Sequence, residues 1–323
     1  MQFLEFLSNL RTPSLDKFFL LVTELGGEMA FIAVAVIVFW CFSKRDGYLL
    51  LTIGFLGTVA NQFLKISFRI LRPWDLNPNF VAVPEAIPDA SGFSFPSGHT
   101  QNSIGIFGTI SLISKSSWVK AIALVICIIV PFSRMYLGVH TPLDVFFSVF
   151  FAILVIVVTK PLMYKAYKSK FGMFIFLGVM SIIALAFLIY MELIFDPSSL
   201  PSDQMHNYIS ALKNSYLIFG ALVGVLIAFP IERKYVKFNE SGKWYTQILK
   251  AGIGLILVLG LLEGLKIPLN AIFDANTIAR ALRYGLVVIF VIDVYPISFK
   301  WFKKLELKIE EKRANRKRIK TDR

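Results

Sequence analysis

Three short segments hold the residues that could do chemistry. The first, Lys65-Ile-Ser-Phe-Arg-Ile-Leu-Arg72-Pro73, carries three cations. Their spacing sets Lys65, Arg69 and Arg72 on one face of a helix, which Pro73 then ends. Stacked like charges repel unless an anion joins them, although cations snorkelling from a membrane edge would give the same pattern. The second segment, Phe95-Pro96-Ser97-Gly98-His99-Thr100, immediately precedes an apolar run. Gly98 lets backbone approach a ligand closely, and free amides at a helix start suit an anion. Ser97 also reads as an ordinary N-cap. His99 is one of only three histidines, and an imidazole can give or take a proton near neutral pH.

The third segment runs from Ser133 through Arg134 and His140 to Asp144. Thr141, Pro142 and Asp144 form a capping-box-like helix start. The chemical reading is that Asp144, four residues after His140, accepts a hydrogen bond from its imidazole. That would fix the tautomer and leave the other nitrogen free to attack. Arg134 adds a fork of donors matched to phosphate oxygens.

Taken together, cations around a nucleophilic histidine, with a second histidine as acid, suit phosphoryl transfer through a covalent phosphohistidine. Cys41 and Cys127 lie in apolar runs, no His/Cys cluster is present, and no Walker-type glycine loop occurs. No metal and no cofactor are therefore expected.

At these residues the chain resembles the type 2 phosphatidic acid phosphatase and vanadium haloperoxidase superfamily. Its signature, K-x6-RP, then PSGH, then SR-x5-H-x3-D, reads here as KISFRILRP, PSGH and SRMYLGVHTPLD, in that order. The resemblance implies that Lys65, Arg72 and Arg134 bind phosphate, with Ser97 and Gly98 as the contacting turn. It implies His140 as nucleophile, Asp144 as its orienting partner, and His99 as the acid that protonates the leaving alcohol. Arg69 lies outside the signature and is expected to give electrostatic support only.

The elements that position these motifs must sit in lipid. Of 323 residues 56% are hydrophobic and 17% charged, against roughly 25% charged in an average soluble domain. A mean hydropathy of +0.67 argues against a soluble enzyme, a disordered chain and a nucleic-acid-binding domain. Runs long enough to cross a bilayer number nine: 28–42, 47–68, 99–114, 119–134, 142–160, 171–195, 214–230, 249–267 and 280–299. The expected fold is an all-α polytopic bundle. Residues 1–27 read as interfacial or re-entrant helices, 28–160 as the phosphatase core, 161–299 as an additional four-helix region, and 300–323 as a basic tail.

The net charge of +13 is mostly a topology signal. On nine spans, 24 of the 34 basic residues fall on one side, 11 of them between Lys300 and Arg323. The positive-inside rule makes that side cytoplasmic and puts the N-terminus and all three motifs outside. Gly220 and Gly224, and again Gly252 and Gly254, suit close helix packing. The leading expectation is a membrane phosphatase acting on a lipid phosphate, of the phosphatidic acid, phosphatidylglycerol phosphate or polyprenyl diphosphate type. The nine-span plan also resembles the glucose-6-phosphatase branch, which would make a sugar phosphate the substrate. A non-hydrolytic transferase or transporter is the third possibility. Membrane lipids are the expected partners, nucleic acid is not, and the Lys-, Ile- and Phe-rich composition leans towards a bacterial plasma membrane.

Overall fold

Backbone in hydrocarbon must satisfy its own hydrogen bonds, so apolar runs of this length become helices. The computed structural model describes residues 1–273 and 277–321, and among these no strand occurs. The last two residues of the expected tail, Asp322 and Arg323, lie outside the described residues. The helices are α1 (Gln2–Asn9), α2 (Pro13–Glu24), α3 (Glu28–Cys41), α4 (Lys44–Phe68), α5 (Pro73–Leu76), α6 (Gly98–Ser103), α7 (Thr109–Ile113), α8 (Ser117–Tyr136) and α9 (Pro142–Tyr167). They continue as α10 (Lys170–Ile189), α11 (Met205–Ile231), α12 (Trp244–Gly264), α13 (Lys266–Ile272), α14 (Thr277–Ile289) and α15 (Phe299–Thr321).

Seven of the described helices, with their continuations, are long and apolar enough to cross a membrane. A pair formed by α2 and α3, bent by 46° at its junction, would make eight. Nine were expected, and the difference lies at 99–114. That stretch is helical, but α6, a π-helical turn at Ile104–Gly108, and α7 contribute only six, five and five residues. These sixteen residues are fewer than the roughly 20 of a lipid-facing crossing. Yet they carry the chain from Gly98 at the motif-bearing end to the start of α8 at the other end, so the three motifs stay on one side. This short helix sits inside the bundle against α4, α8 and α9, with Thr100, Ser103 and Thr109 all buried. Only protein surroundings tolerate so many hydroxyls at membrane depth. Ser103 Oγ donates to the Thr100 carbonyl at 3.0 Å and Thr109 Oγ1 to the Gly105 carbonyl at 2.6 Å, while Thr100 Oγ1 has no partner among the described residues.

Lipid-facing surfaces are apolar in the expected way. Ile128 on α8, Phe146 and Phe150 on α9, Ile182 on α10 and Ile256 on α12 are all exposed large side chains. The basic residues of the first turn of α4 lie about 36 Å from its far end, from 1.5 Å per residue. There Lys44 pairs with Glu232 at 2.6 Å and Arg45 with Asp46 at 3.1 Å. All three chemical motifs gather at the opposite end of the bundle.

Two of the four glycines expected to pack closely form one seam. A Cβ on Gly224 would stand 2.6 Å from the Gly285 carbonyl oxygen, and one on Gly220 would collide with the Ala281 carbonyl. The backbones of α11 and α14 therefore touch. Gly254 is likewise pressed against Trp40 and Tyr295, whereas Gly252 faces open space. Gly224→Leu is expected to lower the thermal unfolding midpoint in detergent, with a loss of about 1–3 kcal/mol from overpacking. Gly252→Leu should leave that midpoint unchanged.

Candidate active site

Four stretches of chain converge at the motif-bearing end: the exit of α4, the loop 91–97, the exit of α8 and the entry of α9. Local sequence explains each. Helix α4 stops at Phe68 because Arg69 takes a left-handed conformation, φ 51°, and Pro73 starts the new helix α5. Lys65 therefore stays on α4 while Arg72 stands at the N-terminus of α5. The single helical face expected for the three cations does not form. Chain reversal at Arg69 still brings two of them together, since Lys65 Nζ donates to the Phe93 carbonyl and Arg72 Nε to the adjacent Gly92 carbonyl at 3.1 Å. Arg69 itself is exposed and turned away. Its Nε donates to the Ile66 carbonyl at 3.2 Å, and its guanidinium lies 5.0 Å from the Phe195 ring.

At the exit of α8, Gly138 adopts φ 78°, a region costly for residues with a Cβ. A Cβ there would also stand 2.9 Å from the Phe80 ring. This turn delivers His140 to the start of α9. There Thr141 caps the helix, Pro142 begins it, and Asp144 completes a capping box: Thr141 N donates to Asp144 Oδ2 at 2.8 Å and Asp144 N to Thr141 Oγ1 at 3.3 Å. Ser97 caps α6, as its Oγ accepts from Thr100 N at 3.4 Å.

Arg72 organises the centre. Its Nη2 donates to the Ser91 carbonyl at 3.0 Å and its Nη1 to the Val139 carbonyl at 2.8 Å. The same Nη1 stands 3.0 Å from His140 Nε2. It is also 3.4 Å from Nδ1, so the guanidinium stands against the side of the ring and faces both nitrogens. Burial, followed by the charges of Arg72, Arg134, Lys65 and His99, holds His140 well below the ordinary histidine range. The ring is therefore neutral at neutral pH, with one nitrogen able to attack. Arg134 is fully buried. Its Nη1 donates to Thr23 Oγ1 at 2.7 Å, while Nε and Nη2 have no partner among the described residues. Lys65, Arg72, Gly98, His99, Arg134 and His140 all line one cavity of about 470 Å³.

The expected contact between His140 and Asp144 is long and is shared with Ser94. Nδ1 lies 3.6 Å from Asp144 Oδ2, beyond a good hydrogen bond. That oxygen already accepts from the Thr141 amide and, at 2.7 Å, from Ser94 Oγ. Ser94 Oγ is itself 3.5 Å from Nδ1, so its hydroxyl can accept from the imidazole while donating to the carboxylate.

Ser94 is one of four contributors that the motifs did not mark. Thr23 holds Arg134 from α2. Asn61 donates from Nδ2 to the Pro96 carbonyl at 3.3 Å and to Gln101 Oε1 at 3.0 Å, steadying the turn before Gly98. Ser148 Oγ accepts from Ser97 N at 2.7 Å and donates to the Asp144 carbonyl at 2.6 Å. Asn61 lies four residues before Lys65 and Ser148 four after Asp144, so helical spacing could have found both. Thr23 and Ser94 had no such periodic signal. His206, the third histidine, is exposed at the start of α11 with Nδ1 2.7 Å from the Asp203 carbonyl.

Residues 46–168 match the PAP2 superfamily, and residues 216–308 match the PAP2 superfamily phosphatase, transmembrane extension. The chain is 31% identical over 149 residues to phosphatidylglycerophosphatase B of Bacillus subtilis, covering 42% of this chain and 69% of that protein. It is 27% identical over 135 residues to undecaprenyl-diphosphatase of Sulfolobus acidocaldarius, covering 41% and 63% respectively. Undecaprenyl-diphosphatase BcrC of Bacillus subtilis is 29% identical over 148 residues, covering 44% and 71%. No solved structure matches the chain.

The bridge makes a measurable difference. Ser94→Ala is expected to lower kcat for phosphate release by about tenfold, in line with the loss of one orienting hydrogen bond. KM should barely move, because Ser94 does not bind the phosphate. Ser94→Thr, which keeps the hydroxyl, should recover most of the rate, and a loss as large as that of Ser94→Ala would argue against the bridge.

Proposed function

This chain belongs to the PAP2 superfamily, and from that premise we propose that it is a membrane lipid phosphatase working through a phosphohistidine. The substrate is a lipid phosphomonoester or diphosphate, of the phosphatidic acid, phosphatidylglycerol phosphate or polyprenyl diphosphate type. The names of the relatives support that class, since they include a phosphatidylglycerophosphatase and two undecaprenyl-diphosphatases. The observation that carries the reading is the His140 imidazole set among Lys65, Arg72 and Arg134, in the same cavity as His99.

The steps follow from these positions. Lys65, Arg72 and the two unspent donors of Arg134 hold the phosphate oxygens and stabilise the charge that builds on them in the transition state. His140 Nε2 attacks phosphorus, forming an N–P bond as the P–O bond to the alcohol breaks. Burial and the charges of Arg134, Arg72 and Lys65 hold His99 below the ordinary histidine range. The bound phosphate anion offsets those charges, so His99 takes up a proton with the substrate and gives it to the leaving oxygen. Asp144, acting through Ser94, stabilises the positive charge that the ring acquires. His99, now neutral, takes a proton from water as the water oxygen attacks phosphorus. The N–P bond breaks, His140 is restored, and inorganic phosphate leaves.

The chain is a multi-pass membrane protein. We assign its site to the outer face of a bacterial plasma membrane and its basic tail to the cytoplasm, which is what the charge asymmetry supports. In this reading residues 28–160 form the catalytic core, 1–27 cover its outer end, and 161–299 are the additional helices before the tail 300–323.

Purified protein should release phosphate from phosphatidic acid in the presence of EDTA. His140→Ala should abolish release, and His99→Ala should reduce it by on the order of 10²–10⁴-fold. Full activity in His140→Ala, or strict dependence on a divalent metal, would overturn the mechanism. Orientation has its own check. With Cys41 and Cys127 replaced by Ser, a cysteine at Ser198 should react with an impermeant thiol reagent on intact cells, and one at Ser169 should not.

A further inference from the structure

The cavity that holds the phosphate cluster does not end there. Along α4 its lining runs from Lys65 through Gln62 and Thr58 to Phe55 and Leu51. That is a descent of about 21 Å at 1.5 Å per residue, well into the hydrocarbon depth of a bilayer. Every wall changes character along the way. On α3 it passes from Glu28 to Phe31 and Val36, and on α11 from Asn214 to Leu217, Ile218 and Ala221. On α14 and its continuation it passes from Tyr284 to Val287, Val288 and Val291. Each helix presents polar groups at the level of the cations and apolar ones below. Between the two levels stand the amides of Gln62, Asn102 and Asn214, all half-buried. None of the three side chains is hydrogen-bonded to another described residue.

Two of these walls, α11 and α14, belong to the second half of the chain, within residues 216–308 for most of the lining. We infer that this second half closes a chamber for the substrate's apolar tail, so that α11 and α14 set which tails are accepted. The ligand class follows from the three levels. It is an amphiphile with a phosphate for the cations, a short hydrogen-bonding linker for the three amides, and an alkyl or prenyl tail for the apolar floor. A chamber of about 470 Å³ is of the size that takes small ligands. A free sugar phosphate would satisfy the upper two levels and leave the apolar floor wetted, which is unfavourable. Because the glycine seam joins α11 to α14 backbone to backbone, the wall is rigid and a side chain enlarged on it must intrude into the chamber.

This inference rests on the phosphatase reading and is tested separately from it. Purified protein is assayed with butyl phosphate, dodecyl phosphate and glucose 6-phosphate. If none of the three, nor phosphatidic acid, releases phosphate, the phosphatase reading fails and the chamber is not at issue. The expected result is a kcat/KM for dodecyl phosphate about tenfold or more above that for butyl phosphate, as burial of extra methylenes in an apolar pocket gives. Ala221→Phe should lower the dodecyl value by about tenfold or more and leave butyl phosphate within about twofold, so butyl turnover also reports a folded protein. Should Ala221→Phe lose both, Val288→Phe on the facing helix is read in the same way. Parallel losses on both substrates in both variants overturn the inference. So does unchanged dodecyl turnover in either variant, or glucose 6-phosphate as the best of the three substrates.

Discussion

A guanidinium donates hydrogen bonds and accepts none, and the site is arranged around that property of Arg72. One side chain ties the loop at Ser91 and Gly92 to the turn at Val139. It faces Nε2 of His140 as well. The loops that carry the second and third motifs have no sheet or disulfide to fix them. Arg72 joins them, and it also stands against the imidazole that the third motif delivers. Positioning of the loops and of the imidazole thus comes from the same guanidinium. Truncating this buried cation leaves the Ser91, Gly92 and Val139 carbonyls without their donor, about 1–3 kcal/mol for each.

Arg72 is one of three buried cations at this site, and their crowding is the second constraint. Like charges in low dielectric repel, and desolvation adds to the cost. The protein answers with carbonyl oxygens rather than carboxylates. Phe93, Gly92, Ser91 and Val139 supply them, while Asp144 is the buried acid in contact with His140. Carbonyls satisfy hydrogen bonds without cancelling net charge, so the cluster stays positive and keeps its attraction for a phosphate dianion. A second carboxylate would have made the apo site more stable and the site less able to bind an anion.

Much of this site was legible in sequence because its charged residues are conspicuous in an apolar chain. Lys65, Arg72, Arg134 and His140 have no ordinary reason to be buried in such company, and the spacing of His140 and Asp144 tied them to one helix start. What escaped was of two kinds. Ser94 and Thr23 act by tertiary contact from loop and neighbouring helix, and a serine or threonine in a polar loop looks the same whether or not it meets a carboxylate. Arg69 failed for the opposite reason. Helical spacing placed it with Lys65 and Arg72, but the helix ends one residue before it, and a left-handed cap turns it towards Phe195. Span counting met a similar limit at 99–114, where hydropathy cannot tell a helix facing lipid from a short one enclosed by three others.

The bundle's second half is better understood from its packing than from its hydropathy. Helices in lipid gain nothing from apolar contact alone, since lipid offers the same contact, so they associate through close backbone approach. Gly220 and Gly224 supply that approach to α14 at Ala281 and Gly285. The seam fixes α14 beside α11 and thereby beside the cavity that begins at Lys65. A substrate whose phosphate is held by the cations must direct whatever is attached to it along these walls. The clamp reads only the phosphate and is indifferent to the rest of the molecule; discrimination between esters therefore has to arise where α3, α4, α11 and α14 surround the remainder. On the proposed reading, the first half of the chain carries the chemistry, and both halves wall the one cavity that sets specificity.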